Sequence, residues 1–344
     1  MSLVEVIVPC YNYGRFLRAC VESVLRQEEV EVRVLIVDDA SQDDSETIGR
    51  ALAAEDRRVQ YRRHAVNQGH IATYNEGIDW LSGDYILLLS ADDMLTPGAF
   101  ARATKVLDRN PQAGFAFGRA IKTATPGVGG ELCSEQFAYK ILAGREFVNL
   151  TCECAANVVP TPTLVIRTLL QKKVGGYRKE LPHTGDLEIC MRLAAHADVA
   201  VLDAPQAYYR IHGNNMHKNT FKDAMIVLEQ HQEAFRIFFA ENGDRIGDNE
   251  TLQRRASRAI ALGILSRACK AFEAGQDEYC KLFVKCALVQ YPSLRNESAW
   301  RRLSVKRALG FNVWKTVGPM LRFFKKRQAL DPSPFATTGI FAGI

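Results

Sequence analysis

No stretch of this 344-residue chain approaches the roughly 20 consecutive apolar residues that cross a bilayer as a helix. It has no internal repeat and no low-complexity tract, so neither a solenoid nor a mainly disordered chain is expected. Its nine cysteines are scattered and odd in number, which speaks against a disulfide framework and for a reducing compartment. Cys152 and Cys154 are the one close pair. With no second pair nearby they read as free thiols rather than zinc ligands. A signal peptide is also lacking, because Val4–Val8 reads as a short strand running into Pro9.

What is present is the composition of a globular protein, 47% apolar and 24% charged, long enough for one large domain or two ordinary ones. The net charge of +5 is unevenly spread. Acids outnumber bases by four over residues 1–216, and bases outnumber acids by nine over 217–344. A basic tail region favours anionic lipid, nucleic acid or an acidic partner, or is a solvated helical surface.

The first ~115 residues alternate between strand and helix patterns. Strands are expected at Leu3–Val8, Val32–Val37, Val59–Arg62 and Tyr85–Leu89. Helices are expected at Phe16–Gln27, Ser45–Ala54, Ile71–Trp80 and Pro97–Arg109. One helix between successive strands implies right-handed parallel crossovers and an α/β sheet, with the first strand between the second and the fourth. Ligands bind such sheets at the switch point, here the strand ends Pro9–Tyr13, Asp38–Ser41 and Ser90–Asp93. Two of these strands run into acid pairs, Asp38-Asp39 and Asp92-Asp93. Paired carboxylates at the end of a buried strand offer hard oxygen ligands to a divalent cation and the phosphates it holds.

Residues 111–215 are less regular. Thr163–Ile166, Val199–Leu202 and Tyr208–Ile211 read as short strands, Leu187–Ala197 as a helix and Thr123–Gly130 as a loop. Beyond Thr220 helices are expected over 220–242, 250–274, 276–291 and 297–309, and Pro332–Ile344 reads as a loose tail. The expected division is a catalytic domain over 1–217, a helical region over 218–330 and a flexible tail over 331–344.

Six segments in order resemble the family 2 glycosyltransferases with a GT-A fold. They are Val8-Pro9-Cys10-Tyr11-Asn12, Val37-Asp38-Asp39-Ala40-Ser41, Asn67-Gln68-Gly69 with Asn75-Glu76-Gly77-Ile78, Ser90-Ala91-Asp92-Asp93, Gly185-Asp186-Leu187-Glu188, and Tyr209-Arg210-Ile211-His212-Gly213-Asn214-Asn215. The likeness covers about residues 3–217. It implies a Rossmann-like, mostly parallel sheet flanked by helices, and an inverting transfer from a nucleotide-diphosphate sugar, with UDP the first candidate.

By this resemblance Asp93 and His212 are metal ligands for Mn²⁺ or Mg²⁺, and Asp92 holds the ribose or backs up the cation. Asp39 reads the base, and Pro9, Tyr11, Asn12, Arg63 and Asn67 line the nucleotide pocket. Asp186 is the general base, since direct displacement at an anomeric carbon needs the attacking hydroxyl to lose its proton. The chain departs from the family at Ser90, Tyr74 and Gly185, where an acid, an arginine and a glutamate are usual; Glu188 or His183 could replace the last. Each acid also has a structural reading, Asp39 and Asp186 as helix caps and Asp92 and Asp93 as turn residues. His212 could equally be a histidine bonded in a turn. Arg62, Arg210, Asn214 and His217 are weaker phosphate or acceptor candidates. Trp314, Val317, Met320, Leu321 and Phe324 could share a helix face ringed by Lys315, Arg322, Lys325, Lys326 and Arg327, which packs on the protein or lies on a membrane surface.

The expected partners are a nucleotide-sugar donor and a glycan or lipid-linked glycan acceptor, as in polysaccharide biosynthesis, without nucleic acid. A cytoplasmic location is expected, with peripheral contact to the inner face of the membrane and a homo-oligomer both left open. A sugar-nucleotide nucleotidyltransferase is the first competitor. It needs a Gly-rich first turn, whereas Pro9-Cys10-Tyr11-Asn12-Tyr13 is followed by a single Gly14. A receiver-like or sugar-binding module is the second, opposed by the length of the chain and by the motifs at 185–215.

Overall fold

The computed structural model describes residues 1–125, 137–213 and 221–316, with backbone only over 221–224. They fall into two compact units, one of Met1–Val148 with 159–213, the other of Asn149–Val158 with 221–316.

The first unit opens with β1 (Leu3–Cys10), α1 (Gly14–Leu25), β2 (Glu31–Asp38), α2 (Ser45–Glu55), β3 (Val59–Arg63), α3 (His70–Trp80) and β4 (Tyr85–Leu88). β1 is parallel to β2 on one side and to β4 on the other, and β2 is parallel to β3. Near-continuous Val, Ile and Leu runs suit strands covered on both faces. Val4, Val6, Ile7, Val8, Val34, Leu35, Ile36 and Leu87 are fully buried. Glu5 is also fully buried in β1, and its carboxylate accepts the Ser82 and Gly83 amides at 2.6 and 2.7 Å while pairing with Arg33 at 3.0 Å. It thereby tethers the turn that feeds β4. Every element expected over these residues is present to within two residues at each end.

The chain continues through β5 (Met94–Leu95), α4 (Ala99–Arg109), β6 (Ala113–Thr123), β7 (Tyr139–Leu142), α5 (Gly144–Cys154), β8 (Val165–Arg167), α6 (Thr168–Val174), α7 (Gly185–Ala194) and β9 (Asp198–Arg210). Among the described residues nine strands form one sheet in the order β3-β2-β1-β4-β8-β6-β9-β5, with β7 also on β9. β6 and β9 are parallel, while β8 joins both β4 and β6 antiparallel. The fold is α/β, GT-A-like, with a helical C-terminal region.

Three differences from the sequence reading have physical causes. Val199–Leu202 and Tyr208–Arg210 belong to one strand, β9, because the β6 partner shifts register opposite Pro205 and absorbs its missing N–H; β9 ends before Ile211. β6 lies in the stretch whose pattern reads as less regular, and it carries Gly114 and Gly118. Both stand where a Cβ would strike neighbours, at 2.3 Å from Leu170 and 2.7 Å from the Ala204 carbonyl. The expected strand at Thr163–Ile166 is a 3₁₀ turn over Thr161–Thr163 followed by β8.

In the second unit α8 (Phe221–Ile246), α9 (Asn249–Glu273), α10 (Asp277–Gln290) and α11 (Ser298–Leu309) pack around Phe238, Ile264, Ala268 and Phe283. Arg255 binds Asn149 and Glu153 of α5, and Arg258 forms a two-pronged pair with Glu297 at 2.6 and 3.0 Å. Among the described residues no helix is long and apolar enough to cross a membrane. The expected flexible tail, most of Thr123–Gly130 and the helix face from Val317 to Phe324 lie outside the described residues; of that face, Trp314 is within them.

Candidate active site

The loops after β1 and β2 are stapled together at the carboxyl edge of the sheet. Asn12 adopts a left-handed φ of 58°, donates its amide to Ser41 Oγ at 2.9 Å, and accepts the Gln42 amide at 2.8 Å. Gly14 donates its amide to Asp43 at 3.0 Å. Asp38 is consumed internally, one oxygen accepting the Ser41 amide and the other the Tyr61 hydroxyl. Tyr11 leaves its ring 45% exposed above this turn, where a planar base could stack, and Pro9 is half-buried beneath.

Asp39 is 4% exposed and turned toward the segment that starts α3. It accepts the Gln68 and Gly69 amides at 2.7 and 2.8 Å and meets His64 Nδ1 at 2.7 Å. The other His64 nitrogen meets Glu76 at 2.7 Å. Burial alone would lower the His64 pKa, but the hydrogen bonds to Asp39 and Glu76 outweigh it and raise it above the usual value. Asn67 accepts the Gly69 amide at 3.1 Å. Arg63 spends its guanidinium on the Ser41 carbonyl and on Glu46.

Asp92 and Asp93 follow β4, buried to 5% and 4% exposure. The two-residue β5 then pairs with β9 at Tyr208 and Ala207, which brings the end of β9 back over the acids. Hence the Arg210 amide reaches Asp93 at 2.9 Å, Arg210 Nε reaches the Asp92 carbonyl at 2.8 Å, and His212 Nε2 meets Asp92 Oδ2 at 3.0 Å. Tyr13 and Phe16 stand against the His212 ring at 5.6 and 5.0 Å. Burial, then the charge of Asp92, pushes the Asp93 carboxyl up to about 8 against the pull of Arg210.

Asp186 lies in the first turn of α7, whose N-cap is Thr184; the capping role foreseen for Asp186 is therefore not its own. It accepts the Thr161 hydroxyl at 2.9 Å. Burial and then the charges of Asp186 and Asp92 hold the Tyr74 hydroxyl protonated. Tyr209 is raised by burial and then by Asp93, Asp92 and Asp186. Asp92 and Asp186 thus both contribute to the upward shift of the two hydroxyls. Glu188 cannot stand in for the missing acid at Gly185: it is fully buried and bound by Arg192 at 2.7 and 2.9 Å and by Arg178 at 3.2 Å.

The structure thus folds His212 and the Arg210 amide onto Asp92 and Asp93 and sets Asp186 against Thr161, while Asp39, Arg63 and Asn67 brace the neighbouring loops. Asn214 and His217 lie outside the described residues. Sequence reasoning missed Tyr13, Tyr209, Thr161 and His64. Tyr209 opens a quoted motif and Tyr13 follows another, but neither is given a role there; nothing in the sequence marks Thr161.

Among the described residues no three His, Cys, Asp or Glu side chains form a ready metal-ligand cluster. Burial and the charge of Asp92 disfavour a second negative charge at Asp93, and a divalent cation between the two would favour the ionised pair. The donor set fits a cation that takes one or two carboxylates here and its remaining ligands from phosphate and water.

The architecture is that of the GT-A class, and comparison with known proteins agrees. Residues 5–156 match the family described as glycosyl transferase family 2, and so carry a glycosyltransferase domain. Glycosyltransferase GlyG of Streptococcus pneumoniae is 35% identical over 94 residues, covering 27% of this chain and 31% of that protein. The chain spans about a third of the length of the first curated relatives it matches. The structure resembles S. aureus TarS in complex with UDP-GlcNAc (TM-score 0.54, 16% identity, 83% of this chain and 91% of that one). It also resembles the mannosyltransferase PcManGT from Pyrobaculum calidifontis in complex with GDP-Man and Mn²⁺ (TM-score 0.50, 16% identity, 91% and 86%).

Proposed function

We propose that the chain is an inverting glycosyltransferase that moves a sugar from a nucleoside-diphosphate donor, UDP-sugars first, to a hydroxyl of a glycan or lipid-linked glycan. The observation that carries this is the buried Asp92–Asp93 pair at the end of β4, with the His212 ring and the Arg210 amide folded onto it. The glycosyltransferase match over 5–156 supports it.

Pro9 and Tyr11 form the base platform, and Asp39 with Asn67 shapes the wall beside it through the Gln68 and Gly69 amides. Asp92 and Asp93 would hold the Mn²⁺ or Mg²⁺, with His212 fixing Asp92. When bound, such a cation neutralises the departing diphosphate. Asp186 takes the proton of the attacking hydroxyl; one displacement with one base inverts the anomeric centre. The basic residues beyond 217 are a candidate contact with an anionic membrane face where lipid-linked acceptors lie.

A thermal-shift screen of UDP-, GDP- and dTDP-sugars with and without Mn²⁺ or Mg²⁺ tests the reading. One nucleotide series should stabilise the protein only with metal, and Asp93→Asn should abolish that dependence. Donor binding that ignores both metal and Asp93 would refute the metal role.

A further inference from the structure

The base side of the site and the nucleotide side are both anchored on α3. At its start the helix is gripped by Asp39 through the Gln68 and Gly69 amides, and nearly two turns on by His64 through Glu76. From the same helix, three side chains reach the segment between α6 and α7 that delivers Asp186. His70 Nε2 meets the Pro182 carbonyl at 2.7 Å. The Tyr74 ring stands edge-on to Tyr177 at 5.2 Å. Asn75 makes a two-way bond to the Tyr177 backbone, accepting its amide at 2.7 Å and donating to its carbonyl at 2.9 Å. The fit is close, since a Cβ on Gly176 would lie 2.3 Å from Asn75 Oδ1.

Tyr177 passes this restraint on. Its buried ring lies against Gly185, where an added Cβ would be 3.1 Å from Tyr177 Cδ1, and Gly185 precedes Asp186. We infer that Asn75 is a positioning residue for Asp186: its side chain pairs with the Tyr177 backbone as a strand would, fixing the ring that seats the first turn of α7. This rests on the reading of Asp186 as the general base.

Only an amide can both accept and donate here. Asn75→Asp keeps the size and the acceptor but turns a carboxylate oxygen on the Tyr177 carbonyl, so the backbone pair opens while α3 stays folded. The experiment is a double-mutant cycle of Asn75→Asp and Asp186→Asn in the full chain. It reads UDP affinity by calorimetry with Mn²⁺ and hydrolysis of UDP-, GDP- and dTDP-sugars by release of the nucleotide.

Asn75→Asp alone should lower kcat for hydrolysis at least about tenfold, with UDP affinity within about threefold of wild type. In the Asp186→Asn background it should add almost nothing, because the group it positions is gone. A kcat near wild type for Asn75→Asp, with Asp186→Asn inactive, overturns the positioning role and leaves the function intact. Equal proportional losses in both backgrounds assign Asn75 to general stability and overturn it as well. Full activity of Asp186→Asn refutes the base assignment and the inference with it.

Discussion

At the scale of the residue, the acids that mattered in the sequence divide into two kinds. Asp38 and Asp39 end as structural hubs, each carboxylate already holding backbone amides of the loops around it. Asp92, Asp93 and Asp186 are the acids proposed for the chemistry, and the test is a substitution that preserves shape. Asp186→Asn should reduce kcat by about 10²–10⁴ with donor affinity nearly unchanged, read by steady-state transfer beside calorimetry. His64 makes a separate, pH-dependent contribution. Its pKa is raised in the fold, so its stabilising charge is complete below the ordinary value of 6.5 and fades as the pH climbs through the higher folded value. Denaturation midpoints from pH 5.5 to 8.5 should fall with pH for the wild type relative to His64→Gln. His64 could not have been singled out beforehand, because its neighbours come from β2 and α3 and only folding assembles them.

At the scale of the element, glycines inside strands and helices allow close packing. Gly77 belongs to a recognised motif, and its role is packing: a Cβ there would lie 2.4 Å from the buried Ile7 side chain in β1. Gly77→Ala should cost about 1–3 kcal/mol in a urea melt, because α3 must lift from the sheet or Ile7 must leave its rotamer. Activity should fall with it, since α3 carries contacts to both sides of the site. Gly114 and Gly118 serve close approach in the same way within β6. Arg102, buried in α4, shows a second kind of contact that no local pattern announces. It binds the Pro97 and Pro205 carbonyls and the Gln206 side chain, locking the segment after Asp93 onto β9.

At the scale of the whole molecule, a ligand that binds only the folded state stabilises it by mass action. At about 100 times its dissociation constant, the cognate nucleotide with metal should add about 2.7 kcal/mol, or about 5–10 °C in melting temperature. Asp93→Asn should lose most of that shift, as differential scanning fluorimetry can check.

The sequence by itself determined the α/β alternation of the first 110 residues, the acids at the strand ends and the helical character beyond 220. Those are properties of local periodicity and of the chemistry of adjacent side chains. Tertiary structure decided which acids stay available. It turned Asp39 into a brace and sealed Glu188 between two arginines. It brought His212 across the sheet to Asp92 and set Asn75 against Tyr177. Each of these depends on pairings between distant strands and helices, which no local spacing encodes.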